Sequence, residues 1–498
     1  MTPPTDVESG INCYNSTLRA LIDKHAPVVI KRVTARSSSA RWYDGECRDM
    51  KRQTRKLERK YRRLRTTESE TAWRQQFDAQ RRLYQSKFTA FWFDTVSACR
   101  RDSRSLWRTV NSLLSPPLQC ISEKLTADQF AESFRTKIDS IRTATASADP
   151  PVIVTRQVPP LSCFKPATIP EILHLLKKAP AKSCELDPVP TWLLKQLAPY
   201  IAPTICHLCN LSLKSGVFPA QLKHARVRPL LKKSTMDPDD PNSYRPISNL
   251  PYLSKLIERV VADRFCEHLT TFNLLPAQQS AYRSFHSTET ALLSVHNVLV
   301  RSVDSGKVSL LVLLDLSAAF DTVDHQILLT ILSKRFSMES TTLSWFESYL
   351  ADRTQSFTHA GRETCSFSVD CSVPQGSVLG PRCFVSYTED IVSLLDRHAV
   401  RSHFYADDTQ FHDSCQPGDT HSLRARLSRC ADDVNTWCKS RRLQLNANKT
   451  EAIWFGSQAN LAKLNSLDCS LRVGSSTVQP STVVRDLSLH LDNELSMK

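Results

Sequence analysis

Glycine is scarce in this chain: 10 of 498 residues, about 2% against a usual ~7%. No apolar run approaches the ~20 residues that a membrane helix needs. The strongest candidate, Val308–Leu314, is of strand length and ends on an aspartate. The first residues, MTPPTDVESG, hold neither a basic n-region nor an apolar h-region, so no secretory signal is visible. No GxSxG elbow and no GxxxxGK[ST] loop occur, which removes support for serine-hydrolase and P-loop NTPase chemistry. No internal repeat is evident. Sixteen cysteines are scattered singly, which suits a reducing compartment better than a disulfide framework. The CxxC at Cys206–Cys209 has no second pair at zinc-finger spacing and sits inside a helical run, where both thiols read as small apolar residues.

The hydrophobic fraction, 41%, is ample for a packed core, and the length suggests about three domains. The formal charge is +15, and residues 41–110 carry 19 Lys/Arg against 9 Asp/Glu. Within them Lys51 to Arg65 reads KRQTRKLERKYRRLR, with Lys51, Arg52, Arg55, Lys56, Arg59, Lys60, Arg62, Arg63 and Arg65 against one acid, Glu58. Leu57, Tyr61, Leu64, Trp73, Phe77, Tyr84, Phe88 and Phe91 recur at helical spacing, and no Gly or Pro interrupts Lys51 to Leu114. One or two long amphipathic helices are expected, with an aromatic stripe and a basic face. That face is either a solvated surface or a phosphate-binding arm with salt-dependent affinity.

Residues 1–40 are weakly patterned and are expected to be poorly ordered, 41–142 to form the basic helical region, and 143–169, rich in Thr, Ala and Pro, to be a linker. Beyond Pro170 helix-like and strand-like segments alternate. Helices are expected at Glu171–Lys178, Thr191–Leu197, Leu253–His268 and Asp324–Phe336, and strands at Ala225–Leu231 and Val308–Leu314. A strand–turn–strand is expected at Ser402–Phe411. The fold class is therefore α+β.

Three acids stand where acids are costly unless used. Asp315 ends the apolar strand, and Asp407 and Asp408 occupy the tip of HFYADDTQF. Adjacent acids at a turn repel unless solvated or neutralised by a cation. A strand-end acid beside such a pair could hold two Mg²⁺ ions, although a polar turn alone also explains a DD. Spacing does not bring Asp315 and Asp407, 92 residues apart, together.

YADD at Tyr405–Asp408, with LDLSAAFDTVDH ending at His325 and VPQGSVLGP at Val373–Pro381, resembles a reverse transcriptase of non-LTR (LINE-type) retrotransposons. Further blocks follow the family's order: KSCELDPVPTWLLK from Lys182, RVRPLLKK from Arg226, NSYRPISNLPYLSKLIERVV from Asn242, QSAYR from Gln279, HSTET from His286, RTQ from Arg353, LQLNANKTEAIWFG from Leu443, and RDLSLHLDNELSMK from Arg485. The resemblance covers roughly 170–498. It implies right-hand polymerase fingers (170–300) and palm (301–498), a mixed sheet with flanking helices, preceded by the basic helical region and with the thumb largely missing. It implies an incomplete polyprotein fragment, the family's usual upstream endonuclease having no counterpart in 1–40.

The resemblance also assigns roles. Asp315, Asp407, Asp408 and the Leu316 carbonyl match metal ligands, for two Mg²⁺ ions with Mn²⁺ as a substitute. Phe320 matches a gate that excludes a ribose 2′-hydroxyl. Gln375, Gly376 and Ser377 match the segment near the incoming base, Arg245 a triphosphate contact, and Lys449 a proton donor to departing pyrophosphate. The implied partners are an RNA template, a DNA primer and dNTPs, with no membrane, and the oligomeric state is left open. The implied location is intracellular, in a cytoplasmic ribonucleoprotein and the nucleus. An alternative is a catalytically inactive element remnant that binds RNA through the basic arm. An RNA-copying RNA polymerase is disfavoured, since Ala406 stands where that class tends to place Gly.

Three family glycines are replaced, by Ala281, Ser372 and Ser488. Where such a glycine had positive φ, the replacement is expected to strain the backbone by ~1 kcal/mol or more. Arg382 and Ser386 are polar at positions expected to be packed, with a cost if unpaired.

Overall fold

The computed structural model describes residues 4–27, 42–99, 102, 105–107, 109–110, 124–180, 184–233, 235–464 and 466–496. The chain divides into two compact units, Pro27–Ile121 and the remainder.

The smaller unit is built on two helices, Gly45–Leu64 and Thr67–Ala98. Asp44 caps the first by accepting from the Cys47 N–H at 3.1 Å, and Thr66 caps the second. The chain reverses between them without glycine, at Arg65 with φ 50°. Cys47 and Thr54 are buried, Tyr61 stacks on Trp73 at 5.5 Å, and Trp42, Tyr43, Tyr84 and Phe88 form an edge-to-face cluster. The expected aromatic stripe is only half covered: Tyr61, Trp73, Tyr84 and Phe91 are half-buried, whereas Leu64, Phe77 and Phe88 are exposed.

The larger unit holds the polymerase-like blocks. Its central sheet is antiparallel, in the order β7 (Arg401–Tyr405), β8 (Asp408–Cys415), β3 (Val308–Leu314), β9 (Glu451–Phe455). The apolar run of β3, broken only by the buried Ser309, reflects burial on both faces. Val308, Leu310, Val312 and Leu314 point into the main core. Leu311 and Leu313 meet Val295 and Leu299 of the helix Thr288–Asp304, with Val484 and Leu491 from the hairpin of β12 (Val483–Asp486) and β13 (Leu489–Asp492). A second sheet is mixed: β1 (Ala225–Leu231) pairs antiparallel with β2 (Tyr244–Asn249) and parallel with β4 (Arg353–His359). Expected strand limits at β1 and β3 agree with those observed.

Three expected boundaries are corrected. Residues 7–25 are not poorly ordered: Asp6 caps a helix, Val7–His25, whose Val7, Ile11 and Tyr14 are buried in the main core. Residues 28–40 lie outside the described residues. The segment 143–169 is not a free linker. Its Ile153, Val158 and Leu161 pack on the core, Phe164 is buried, and Leu161 bridges to Met338. Its proline and β-branched residues favour extended chain, and that chain is pinned by backbone bonds such as Arg156 N–H to the Lys334 carbonyl at 2.9 Å. The basic region does not run to 142. The helix Ala127–Thr145 belongs to the larger unit, where Phe130 and Phe134 lie on Tyr244 and Phe357.

Of the three replaced glycines, Ser372 (φ 98°) and Ser488 (φ 82°) have left-handed backbone and Ala281 does not; the positive φ falls on its neighbour Tyr282 (56°). Among the described residues the buried Ser386 hydroxyl has no hydrogen-bond partner, whereas Arg382 donates to Cys266 Sγ and the Val378 carbonyl.

Candidate active site

Register brings the acids together. β3 pairs with β8 with Leu314 opposite Thr409, and β7 with β8 with Tyr405 opposite Asp408. One step past the last β3 pair, Asp315 is level with Asp408. Ala406 and Asp407 form the two-residue turn, Ala406 at φ 59°. Gln279 braces that turn by accepting from the Ala406 N–H at 3.2 Å, and the Ser280 N–H donates to the Phe404 carbonyl at 3.0 Å.

Asp315 and Asp407 line a single cavity of about 230 Å³, shared with Arg245, Phe320, Gln375 and Lys449. Asp408, although adjacent in sequence, is exposed and does not line it. Asp407 belongs to the turn and Asp408 opens the following strand, so the two side chains leave the backbone in different directions. The three acids still feel one another. Burial, and then Asp315, raise the Asp407 carboxyl above its usual range. Burial, Asp407 and Asp315 push Asp408 up to about 6, against the pull of Lys449 and Arg245. On the far side, burial and then Asp408 push Asp486 up to about 7.

Asp315 is held from the segment after YADD. Lys449 Nζ donates to its Oδ2 at 3.1 Å and Asn446 Nδ2 at 3.4 Å. The backbone is stitched by Asn446 N–H to the Asp315 carbonyl and Ser317 N–H to the Gln444 carbonyl, both at 2.9 Å. This bridge takes the Asp315 carbonyl and the Ser317 N–H and leaves Leu316's own N–H and carbonyl outside it. Two carboxylates lining one cavity, beside such a carbonyl, fit a hard divalent ion that takes its other ligands from substrate. Among the described residues no three His, Cys, Asp or Glu side chains form a metal-holding group by themselves.

Phe320 sits in the 3₁₀ turn Ala319–Thr322 and stacks on Phe384 at 4.6 Å, forming a fixed wall of the cavity. Gln375 also lines the cavity, and its carbonyl accepts from the Ser248 N–H at 2.8 Å. Gly376 and Ser377 do not line it. Gly376 has φ 120°, and a Cβ there would stand 2.5 Å from the Ser248 carbonyl oxygen, so glycine is required for this close approach. Ser377 Oγ accepts from the Gly380 N–H at 2.8 Å and starts the helix Gly380–Thr388. Gly376 and Ser377 thus stand directly behind the cavity-lining Gln375 and brace its backbone.

Residues 230–476 match the family profile described as reverse transcriptase (RNA-dependent DNA polymerase). The chain is 28% identical over 367 residues to the "Probable RNA-directed DNA polymerase from transposon BS" of Drosophila melanogaster, covering 70% of this chain and 40% of that protein. It is 27% identical over 373 residues to the "RNA-directed DNA polymerase from mobile element jockey" of Drosophila funebris, with the same two coverages. To the "Probable RNA-directed DNA polymerase from transposon X-element" of Drosophila melanogaster it is 26% identical over 302 residues, 59% of this chain and 32% of that protein. The chain carries a LINE-type reverse transcriptase domain. It spans 40% or less of the length of these relatives.

The reverse transcriptase domain also uses residues that the motifs did not single out. Glu258 is fully buried and accepts from the Val378 and Leu379 N–H groups at 2.7 and 3.1 Å, holding the turn after Gln375. An acid inside the apolar run LIERVV was its only signal. Asp321 lines the cavity, pushed up to about 7 by burial. Lys137 and Lys232 line it as well.

In the smaller unit all nine basic residues from Lys51 to Arg65 are exposed. Arg52, Arg55, Lys56, Arg59, Lys60 and Arg63 share one outward face. Lys51 lies over the Tyr43 ring, Arg62 pairs with Glu58 at 2.6 Å, and Arg65 makes the helix end. Among the described residues no helix is long and apolar enough to cross a membrane.

Proposed function

We propose that the larger unit is an RNA-directed DNA polymerase, transferring a nucleotidyl group from a dNTP to a primer 3′-hydroxyl paired with an RNA template. The observation that carries this reading is Asp315 and Asp407 lining one cavity with Arg245, Phe320 and Lys449. Asp315, Asp407 and the Leu316 carbonyl would hold the ions, with Asp408 as a companion charge behind the turn. Two divalent ions, Mg²⁺ or in its place Mn²⁺, supply activation of the 3′-hydroxyl and charge stabilisation on the leaving pyrophosphate.

The chain's own residues do the rest. Arg245 offers a fork of donors to a triphosphate. Lys449, bonded to Asp315, carries a proton at Nζ that is within reach of a leaving group at that carboxylate. The stacked Phe320 ring fills the space that a ribose 2′-hydroxyl would need. The outward basic face of the helix Gly45–Leu64 supports an RNA-binding role for the smaller unit, with affinity falling by orders of magnitude between ~50 and ~200 mM salt if six or more phosphates are neutralised.

The test is extension of oligo(dT) on poly(rA) with dTTP and Mg²⁺. Extension by the chain and none by Asp407→Asn is the expected result. If both are inert while both retard RNA at low salt, the chain is an RNA-binding remnant. The strained Ser372 and Ser488 and the orphaned Ser386 hydroxyl favour that second reading.

A further inference from the structure

The catalytic cavity has a wall that lies outside the matched domain. The helix Ala127–Thr145 precedes residues 230–476 by some eighty positions, yet Phe134, Lys137 and Ile138 line the cavity together with Asp315 and Asp407. The helix is placed firmly. A capping box at Thr126 and Gln129 fixes its start, and Arg442 donates to the Thr145 carbonyl at its end. Phe130 packs edge-on to Tyr244 at 4.8 Å and Phe134 stacks on Phe357 at 5.7 Å.

Lys137 lies seven residues after Phe130 and three after Phe134, on the same inward stripe. A lysine there would be a packing error over the sheet. The stripe is buried again at Ile141 and Thr145, and between these and Phe134 Lys137 is exposed at the cavity. It has charged company. The cations acting on the Lys232 ammonium, which burial already depresses, are Lys137 first, then Lys449 and Arg245. Four cations on three separate segments therefore crowd one mouth. Three acids line the same cavity: Asp315 is bonded to Lys449, Asp321 is the acid on which Lys137 acts, and Asp407 feels Arg245 and Lys449, but with Lys223 and Arg353 counted the lining cations outnumber the acids six to three. Convergent cations repel unless a polyanion lies among them.

We propose that Lys137 is a phosphate contact for the incoming nucleoside triphosphate, so that the helix Ala127–Thr145 completes the nucleotide site of the polymerase. The assignment rests on the polymerase reading for the identity of the nucleotide, and on the cavity for the phosphate. Lys232 and Arg245 grip the same polyanion from the β1–β2 hairpin. The helix therefore cannot be removed without loss of nucleotide affinity, although it stands outside the matched domain.

The test uses the full chain and two probes: inorganic tripolyphosphate by calorimetry, and an RNA–DNA template–primer by fluorescence anisotropy. The variants are Lys137→Glu, Lys137→Arg and, as a control of equal charge on a remote exposed helix end, Lys177→Glu. Lys137→Glu is expected to weaken tripolyphosphate about tenfold or more. Lys137→Arg should stay within threefold and Lys177→Glu within twofold, with template–primer affinity unchanged and all melting temperatures alike. In primer extension the KM for dTTP should rise with kcat nearly constant. No tripolyphosphate binding by the wild type, no loss in Lys137→Glu, or an equal loss in Lys177→Glu overturns the proposal. Loss of template–primer instead assigns the phosphate to the nucleic acid and overturns it too. Tripolyphosphate behaviour as expected in a chain that never extends a primer supports the site and removes the polymerase reading.

Discussion

Ser372 offers a measurable test of how far the scaffold is strained. Its φ of 98° lies beyond the left-handed well that L-residues occasionally occupy. The backbone has no freedom to relax. The Ser372 N–H donates to the Val323 carbonyl at 2.8 Å, its carbonyl accepts from His325 Nε2 at 2.8 Å, and the next N–H donates to the Phe320 carbonyl at 2.9 Å. Such a conformation costs roughly 1–3 kcal/mol in a residue with a Cβ. Glycine removes that cost but gives back about 0.5–1 kcal/mol through its larger freedom when unfolded. The net expectation for Ser372→Gly is a gain of ~1–2 kcal/mol. A unit of about 400 residues has an unfolding entropy near ~0.8 kcal/mol/K, so the melting temperature should rise by only ~1–2 °C. Urea midpoints read the same free energy with better leverage. Ser372→Ala must accompany it, because alanine keeps the Cβ and should give no gain. If alanine and glycine stabilise equally, the backbone argument is wrong and the side chain is the cause.

Four further outcomes follow from the same geometry. Ser488→Gly (φ 82°) should stabilise by about 1 kcal/mol, while Ala281→Gly should cost ~0.5–1 kcal/mol because Ala281 has no positive φ; matched urea melts decide this. Ser386→Ala should gain ~1–3 kcal/mol in the same assay by removing a buried unpaired hydroxyl. Gly376→Ala should lower primer extension at least about tenfold and destabilise the fold, since its Cβ would meet the Ser248 carbonyl at 2.5 Å; retained activity with a normal melt would refute the close approach. Burial and Asp315 raise the Asp407 carboxyl, so it binds more protons folded than unfolded, and its contribution to stability is present below the ordinary carboxylate range and is lost as pH rises through its raised value. Mg²⁺ should therefore raise the melting temperature at pH 7.5 and progressively less as pH falls through that value, and not at all in Asp315→Asn/Asp407→Asn; a pH-independent gain would count against metal binding at these acids.

Much of the reverse transcriptase domain is legible in single segments. The run Val308–Leu314 reads as a strand buried on both faces, because apart from Ser309 it is apolar without alternation, rich in Val and Leu, and of strand length. Asp324 before a 3.6-period run marks a helix start, and its carboxylate does cap Gln326 and Ile327. The residue types at Asp315, Asp407, Phe320, Arg245 and Lys449 state their chemistry locally. These are properties of near neighbours in the chain, and a pattern of period two or 3.6 records them.

What the tertiary structure alone decided concerns residues far apart. The pairing of Leu314 with Thr409 carries Asp315 to the YADD turn, and no local pattern encodes a register between strands 90 residues apart. The turn then leaves Asp407 facing the cavity while Asp408, at the start of the next strand, does not line it. The helix Val7–His25, the pinned segment 143–169 and the helix Ala127–Thr145 have weak or polar sequences because each buries only a narrow stripe, and the surface receiving that stripe is assembled from distant parts of the chain. Composition registers how much of a segment is apolar; which surface it meets is fixed by the folded whole.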